Sequence, residues 1–141
     1  MSSPYESATL LLKLYDLRRE AAMREARTWF GSFHPSSADD ISRVLQDRPQ
    51  SASFRMVTSY WDMAASLVLN DAIDEQMFAD ANGEHFVVFA KLEPFIGEFR
   101  TKMGNPTYLA NLERLVMKTP NAKERLTAIR ERFRAMAAAR S

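Results

Sequence analysis

The stretch "SASFRMVTSYWDMAASLVLN", Ser51 to Asn70, constrains the fold of this chain more than any other. Wound at about 100° per residue, Phe54, Val57, Trp61, Ala65 and Val68 make one apolar stripe. Met56, Tyr60, Met63 and Leu67 make a second, which leaves only Arg55, Ser59, Asp62 and Ser66 as a polar remainder. A helix that is apolar over most of its circumference must be wrapped by others. The stretch therefore predicts an all-α fold: one helical domain over residues 1–141, an irregular bundle of five to seven helices around a central helix at about 51–70. Four glycines and six prolines in 141 residues are too few turn formers for a β-sandwich or barrel.

Local punctuation supplies the helices that wrap it. Ser3-Pro4 with Glu6 is a cap, a proline at the first helical position and a capping-box acid. From there the pattern predicts one helix to about Phe30. Lys13, Asp16, Glu20 and Arg27 lie on its outer stripe, and Leu10, Leu11, Leu14, Leu17, Ala21, Ala22 and Trp29 fill the inner face. Arg18 and Glu25 intrude on that inner face, so each needs an opposite charge inside the fold or a place at its rim. A short helix follows at about Asp39 to Gln46, and an acidic one lies within "NDAIDEQMFADANG".

"EHFVVFAKLEPFIGEFRTKM" keeps helical spacing past Pro94, which removes a hydrogen bond to the Ala90 carbonyl and predicts a kink. Gly104 marks a left-handed helix end. Asn105-Pro106 and Thr119-Pro120 open helices at about Pro106–Met117 and Asn121–Ala139. In the last of these, Leu126, Ile129, Phe133 and Met136 form a narrow seam of the coiled-coil kind.

Much chemistry is excluded. The chain has no cysteine, hence no disulfide, thiolate nucleophile or Cys-ligated metal, which fits a reducing, cytoplasmic setting. No phosphate-binding glycine loop and no nucleophile elbow occurs. No apolar run is long enough to cross a bilayer. "FADANGEHF" resembles half of a calcium loop, but with Gly83 at the sixth position Phe78 and Phe89 occupy the first and twelfth, where oxygen ligands belong. It reads as a turn in which Asn82-Gly83 supplies a left-handed residue. His34 and His85 lack metal-ligand spacing. No cofactor or metal is expected and no catalytic motif is visible. Asp62, between Ser59 and Ser66, is the nearest to a catalytic candidate. A solvated polar stripe, or an ion pair with an arginine such as Arg18 or Arg100, is its structural alternative.

Charge is uneven. Residues 54–99 carry eight acids and two bases, whereas residues 118–141 carry seven bases and two acids. Two functions follow as expectations. The first is a non-enzymatic protein–protein interaction or scaffold module that self-associates, with Leu126, Ile129, Phe133 and Met136 as its interface. The alternative is nucleic-acid binding through Lys123, Arg125, Arg130, Arg132 and Arg134. Those bases flank the apolar seam and do not form a face of their own, which disfavours nucleic acid. Arg18, Glu25, Asp62 and Arg100 are the polar groups expected inside the fold.

Within "SYWDMAASLVLNDAIDEQMF" and "FAKLEPFIGEFRTKMGNPTYLANLERL" the chain resembles a bacterial family of helical domains whose function is unassigned. The shared layout is a long helix ending in Asn-Asp-x-Ile-Asp, a Pro-Phe-Ile…Arg run and a Tyr…Asn-Leu-Glu-Arg-Leu helix. The resemblance implies an all-helical fold. It also implies an N-terminal membrane anchor in many relatives, a segment with no counterpart here. It carries over no catalytic residue.

Overall fold

The computed structural model describes residues 2–140, and among them it contains nine α-helices and no strand. These are α1 (Pro4–Arg19), α2 (Ala21–Ser32), α3 (Ala38–Gln46), α4 (Arg48–Leu69), α5 (Glu75–Ala81), α6 (Glu84–Leu92), α7 (Ile96–Met103), α8 (Ala110–Met117) and α9 (Ala122–Arg140). As the sequence predicts, α4 is the hub: α2, α3, α5 and α8 all pack on it. Phe54, Val57, Trp61, Ala64, Ala65 and Val68 are buried in one apolar cluster that also takes in Phe30, Phe78, Phe89, Leu112 and Leu126. α9 closes the bundle against α6 and α8, α7 packs on α3, and α1 lies against α2 and α5.

Caps behave as their residue types require. Ser3 accepts the Glu6 N–H at 3.1 Å while Glu6 accepts the Ser3 N–H at 3.0 Å, a complete capping box. Ser37, Asp47 and Asp74 accept from the first-turn N–H groups of α3, α4 and α5. Gly104 ends α7 at φ 67°, where a side chain would be strained.

The count of nine exceeds the expected five to seven because two expected helices are each broken in two. The first breaks at Glu20 (φ −60°, ψ 146°), whose extended backbone re-aims the chain. Beyond it the buried residues are Met23, Ala26 and Phe30, while Leu17, Ala21 and Ala22 are exposed. Arg27, assigned by a continuous helix to the outside, turns inward as a result. The second break is at Pro94: the chain does not merely kink but stops at Leu92 and restarts at Ile96.

Two smaller expectations also change. The helix expected from Pro106 starts at Ala110, after Leu109 at φ 55°. Asn82-Gly83 is a turn but not a left-handed one, since neither residue has a positive φ. Asn82 instead caps α5 by donating its side-chain N–H to the Phe78 carbonyl at 3.3 Å.

Candidate functional site

A concavity lies beside the break at Pro94. Without an N–H there, the Ala90 carbonyl loses its helical partner. Arg130, reaching over from α9, donates to it through Nη1 at 2.9 Å and pairs with Glu93 at 3.0 Å. One turn away, Lys91 is only 5% exposed, an unusual place for a lysine. Its Nζ donates to the Phe30 carbonyl at 2.6 Å and the Gly31 carbonyl at 3.2 Å, satisfying the C-terminal end of α2. The rings of Phe30 and Phe133 lie 5.3 and 5.0 Å from the same nitrogen.

Between these groups and the 33–37 loop opens a cleft of about 430 Å³. His34, Pro35, Pro94, Phe95 and Phe133 supply its largely apolar walls, and Lys91, Arg130 and Arg134 its positive charge. The ring of His34 sits 5.1 Å from that of Phe133. Burial, reinforced by Lys91, lowers the His34 pKa and favours the neutral ring. Burial alone brings Lys91 down to about 8. The arrangement can hold an anion against apolar walls.

Deeper in the bundle, Glu84 ties three helices together. Arg27 on α2 donates to it from Nε and Nη2 at 2.7–3.1 Å, and Trp61 on α4 donates its indole N–H at 3.0 Å. Burial pushes the Glu84 carboxyl up, but the hydrogen bonds and charge of Arg27 outweigh it and hold the group below its usual pKa. Next to it, His85 is enclosed by Trp61, Phe78 and Phe86, with ring centroids 4.8–5.9 Å away. Its Nδ1 is buried with no hydrogen-bond partner, and burial followed by the charge of Arg125 lowers its pKa to about 4. His85 and His34 thus sit in different surroundings. No group of three or more His, Asp or Glu among the described residues has metal-site geometry. Asp80, the most plausible ligand in the calcium-like stretch, accepts a local hydrogen bond from Gln76 at 2.8 Å.

Asp62 pairs with neither Arg18 nor Arg100. Its Oδ1 accepts the Leu112 N–H at 2.9 Å, so α4 caps the first turn of α8, whose own flanking residue Leu109 provides no side-chain cap. It lines a shallow groove with Arg55, Thr58, Ser59 and Tyr108. Arg100 is mostly buried as expected, donating to the Tyr108 carbonyl at 2.8 Å and to Glu113 at 3.0 Å. Arg18 lies half-buried at the rim with its guanidinium 5.9 Å from the Trp61 ring. Glu25 is not inside at all. It is exposed, because the break at Glu20 turns it to solvent.

The expected interface on α9 divides in the middle. Leu126 and Ile129 are buried within the chain's own core and offer no free surface. Phe133 is half-buried as a wall of the cleft, and Met136 is 51% exposed. Among the five bases, Arg130 is engaged as described and Arg125 stacks 3.9 Å over Phe86. Lys123, Arg132 and Arg134 are exposed, with Arg132 across the seam from the other two. The two most exposed large apolar side chains lie elsewhere, on α1, where Tyr5 is 81% and Leu12 66% exposed; Leu17 and Tyr15 of the same helix are 45% and 44% exposed.

Over residues 5–119 the chain matches DUF4760, a domain of unknown function, and it belongs to that family. No curated protein and no solved structure matches it. No helix among the described residues is long and apolar enough to cross a membrane.

Proposed function

We propose that this chain is a non-enzymatic, cytoplasmic protein–protein interaction module that self-associates through the outward face of α1. The observation behind this reading is the row Tyr5, Ala8, Leu12 and Tyr15, in which Tyr5, Leu12 and Tyr15 are exposed and Ala8 is half-buried. Its 3-4-3 spacing is that of a coiled-coil seam, and the side chains facing the core, the buried Ser7 and Leu14 and the half-buried Leu10 and Leu11, lie to one side of it. Solvated helix faces do not ordinarily carry two tyrosines and a leucine in one row. A second copy running antiparallel covers the row with itself, setting Tyr5 against Tyr15 and Ala8 against Leu12. That orientation also brings the acidic first turn of one copy toward Arg18 and Arg19 of the other.

α1 is held firmly enough to present this face. The Ser2 N–H donates to the Asp71 carbonyl at 3.0 Å, the Asp74 N–H donates to the buried Ser7 hydroxyl at 3.0 Å, and Tyr60 donates its hydroxyl to the Leu14 carbonyl. One helix per copy buries less than the roughly 1,200 Å² of a stable interface, so association is weak and concentration-dependent. Nucleic-acid contact through α9 has less behind it, because Arg125 and Arg130 are already engaged and the rest do not share one face.

Amide spectra recorded across a concentration series test the proposal. Shifts confined to residues 5–19 support it. Shifts confined to 122–140, or none up to about 1 mM, overturn it.

A further inference from the structure

We infer that the cleft between the 33–37 loop, the Pro94 turn and α9 binds a small organic carboxylate with an apolar body, an aromatic or short-chain acid. Three features of the cleft combine to favour this class. Its lining holds three cationic side chains and no acid. Glu93, the neighbouring carboxylate, is held by Arg130 at 3.0 Å, which leaves the charges of Lys91 and Arg134 uncompensated within the lining.

Lys91 is the second feature. An ammonium has three N–H donors, and two here meet the neutral carbonyls of Phe30 and Gly31. The third has no acceptor among the described residues; the nitrogen's other neighbours are the Phe30 and Phe133 rings, at 5.3 and 5.0 Å, which do not neutralise it, and a buried cation with no anionic partner is costly to keep. A carboxylate seated there supplies the missing charge, and Arg134 at the mouth donates a second contact.

Size and walls are the third. About 430 Å³ is within the roughly 300–1,000 Å³ of small-molecule sites. Phe95, Phe133, Pro35 and Pro94 offer flat apolar surface to the body of the ligand. Inorganic phosphate matches the charge but leaves those walls uncovered, and a neutral alcohol covers the walls but leaves Lys91 unpaired. The ligand class therefore carries both parts.

Titration of the full chain with 4-phenylbutyrate, followed by calorimetry and amide shifts, tests the assignment. 4-Phenylbutan-1-ol and inorganic phosphate serve as the matched probes. The expected result is saturable binding of the acid, with shifts at residues 33–37, 91–95 and 130–134. The alcohol and phosphate should each bind at least roughly tenfold more weakly. Lys91→Met should abolish binding. Because that change strands two carbonyls, the exposed Arg134→Ala, which breaks no pair among the described residues, serves beside it and should weaken binding roughly fivefold or more. Absence of binding at about 10 mM acid overturns the inference. So does equal binding of acid and alcohol, equal binding of acid and phosphate, or full affinity in Arg134→Ala.

Discussion

Replacing His85 with phenylalanine should make the protein markedly less sensitive to acid. In the folded chain the imidazole is enclosed by Trp61, Phe78 and Phe86 and its pKa is lowered from 6.5 to about 4. Burial is the main cause and Arg125 adds to it, while the neighbouring Glu84 opposes both. In the unfolded chain the ring titrates near its ordinary value. Between about pH 6.5 and pH 4 the unfolded state therefore binds the extra proton, and stability falls as pH falls.

The loss is small at neutral pH, about 2 kcal/mol at pH 5 and about 3 kcal/mol at pH 4, and it levels off slightly above that below about pH 3. Phenylalanine cannot take up that proton, and it also removes the unpaired Nδ1, a gain of about 1 kcal/mol at every pH. Urea denaturation of both proteins at a series of pH values, followed by tryptophan fluorescence, measures the difference. Acid effects from carboxylates are common to both and cancel. A stability difference that stays flat from about pH 7 to pH 4 would refute the reasoning, because it would mean the folded chain protonates His85 as readily as the unfolded one.

Other consequences are local and can be read by the same denaturation assay. Arg27→Met leaves Glu84 with the Trp61 N–H and the more distant charge of Arg18 and should cost about 2–3 kcal/mol, less than a fully buried pair because both side chains are slightly over a quarter exposed. Asp62→Ala removes the cap on the Leu112 N–H and should cost about 1 kcal/mol while leaving helix content unchanged by circular dichroism. Gly104→Ala meets open space but must adopt φ 67°, so a loss of about 1 kcal/mol is expected from backbone strain alone.

What could be read from the sequence was what is encoded locally. The apolar circumference of Ser51–Asn70 announced the hub, and Ser3, Pro4 and Glu6 announced the first cap. Pro94 announced an interruption, but not that Arg130 would arrive from α9 to take the Ala90 carbonyl. The break at Glu20 carries no such signal, since neither glycine nor proline marks it and no side chain caps it. Missing it put Arg27 on the outside and Glu25 on the inside.

The interior polar groups escaped for a different reason. Arg27 and Glu84 are 57 residues apart, and Lys91 meets carbonyls 60 and 61 residues earlier. Helical periodicity describes a face, whereas these contacts depend on which faces meet. The lysine inside "FVVFAKL" was the one visible hint, a single charge in an otherwise apolar run. On α9 the seam was real in spacing, but spacing cannot say whether a neighbouring helix of the same chain already covers it. Leu126 and Ile129 are covered in that way by the chain's own core.

Sedimentation equilibrium of the wild-type chain beside Leu12→Asp and Met136→Asp tests the central claim most directly. Self-association through α1 predicts a reversible increase in mass with concentration for the wild type and for Met136→Asp. It predicts a monomer at every concentration for Leu12→Asp, with unchanged circular dichroism because Leu12 is 66% exposed. A wild type that stays monomeric up to about 1 mM, or a Leu12→Asp variant that associates as the wild type does, would contradict it.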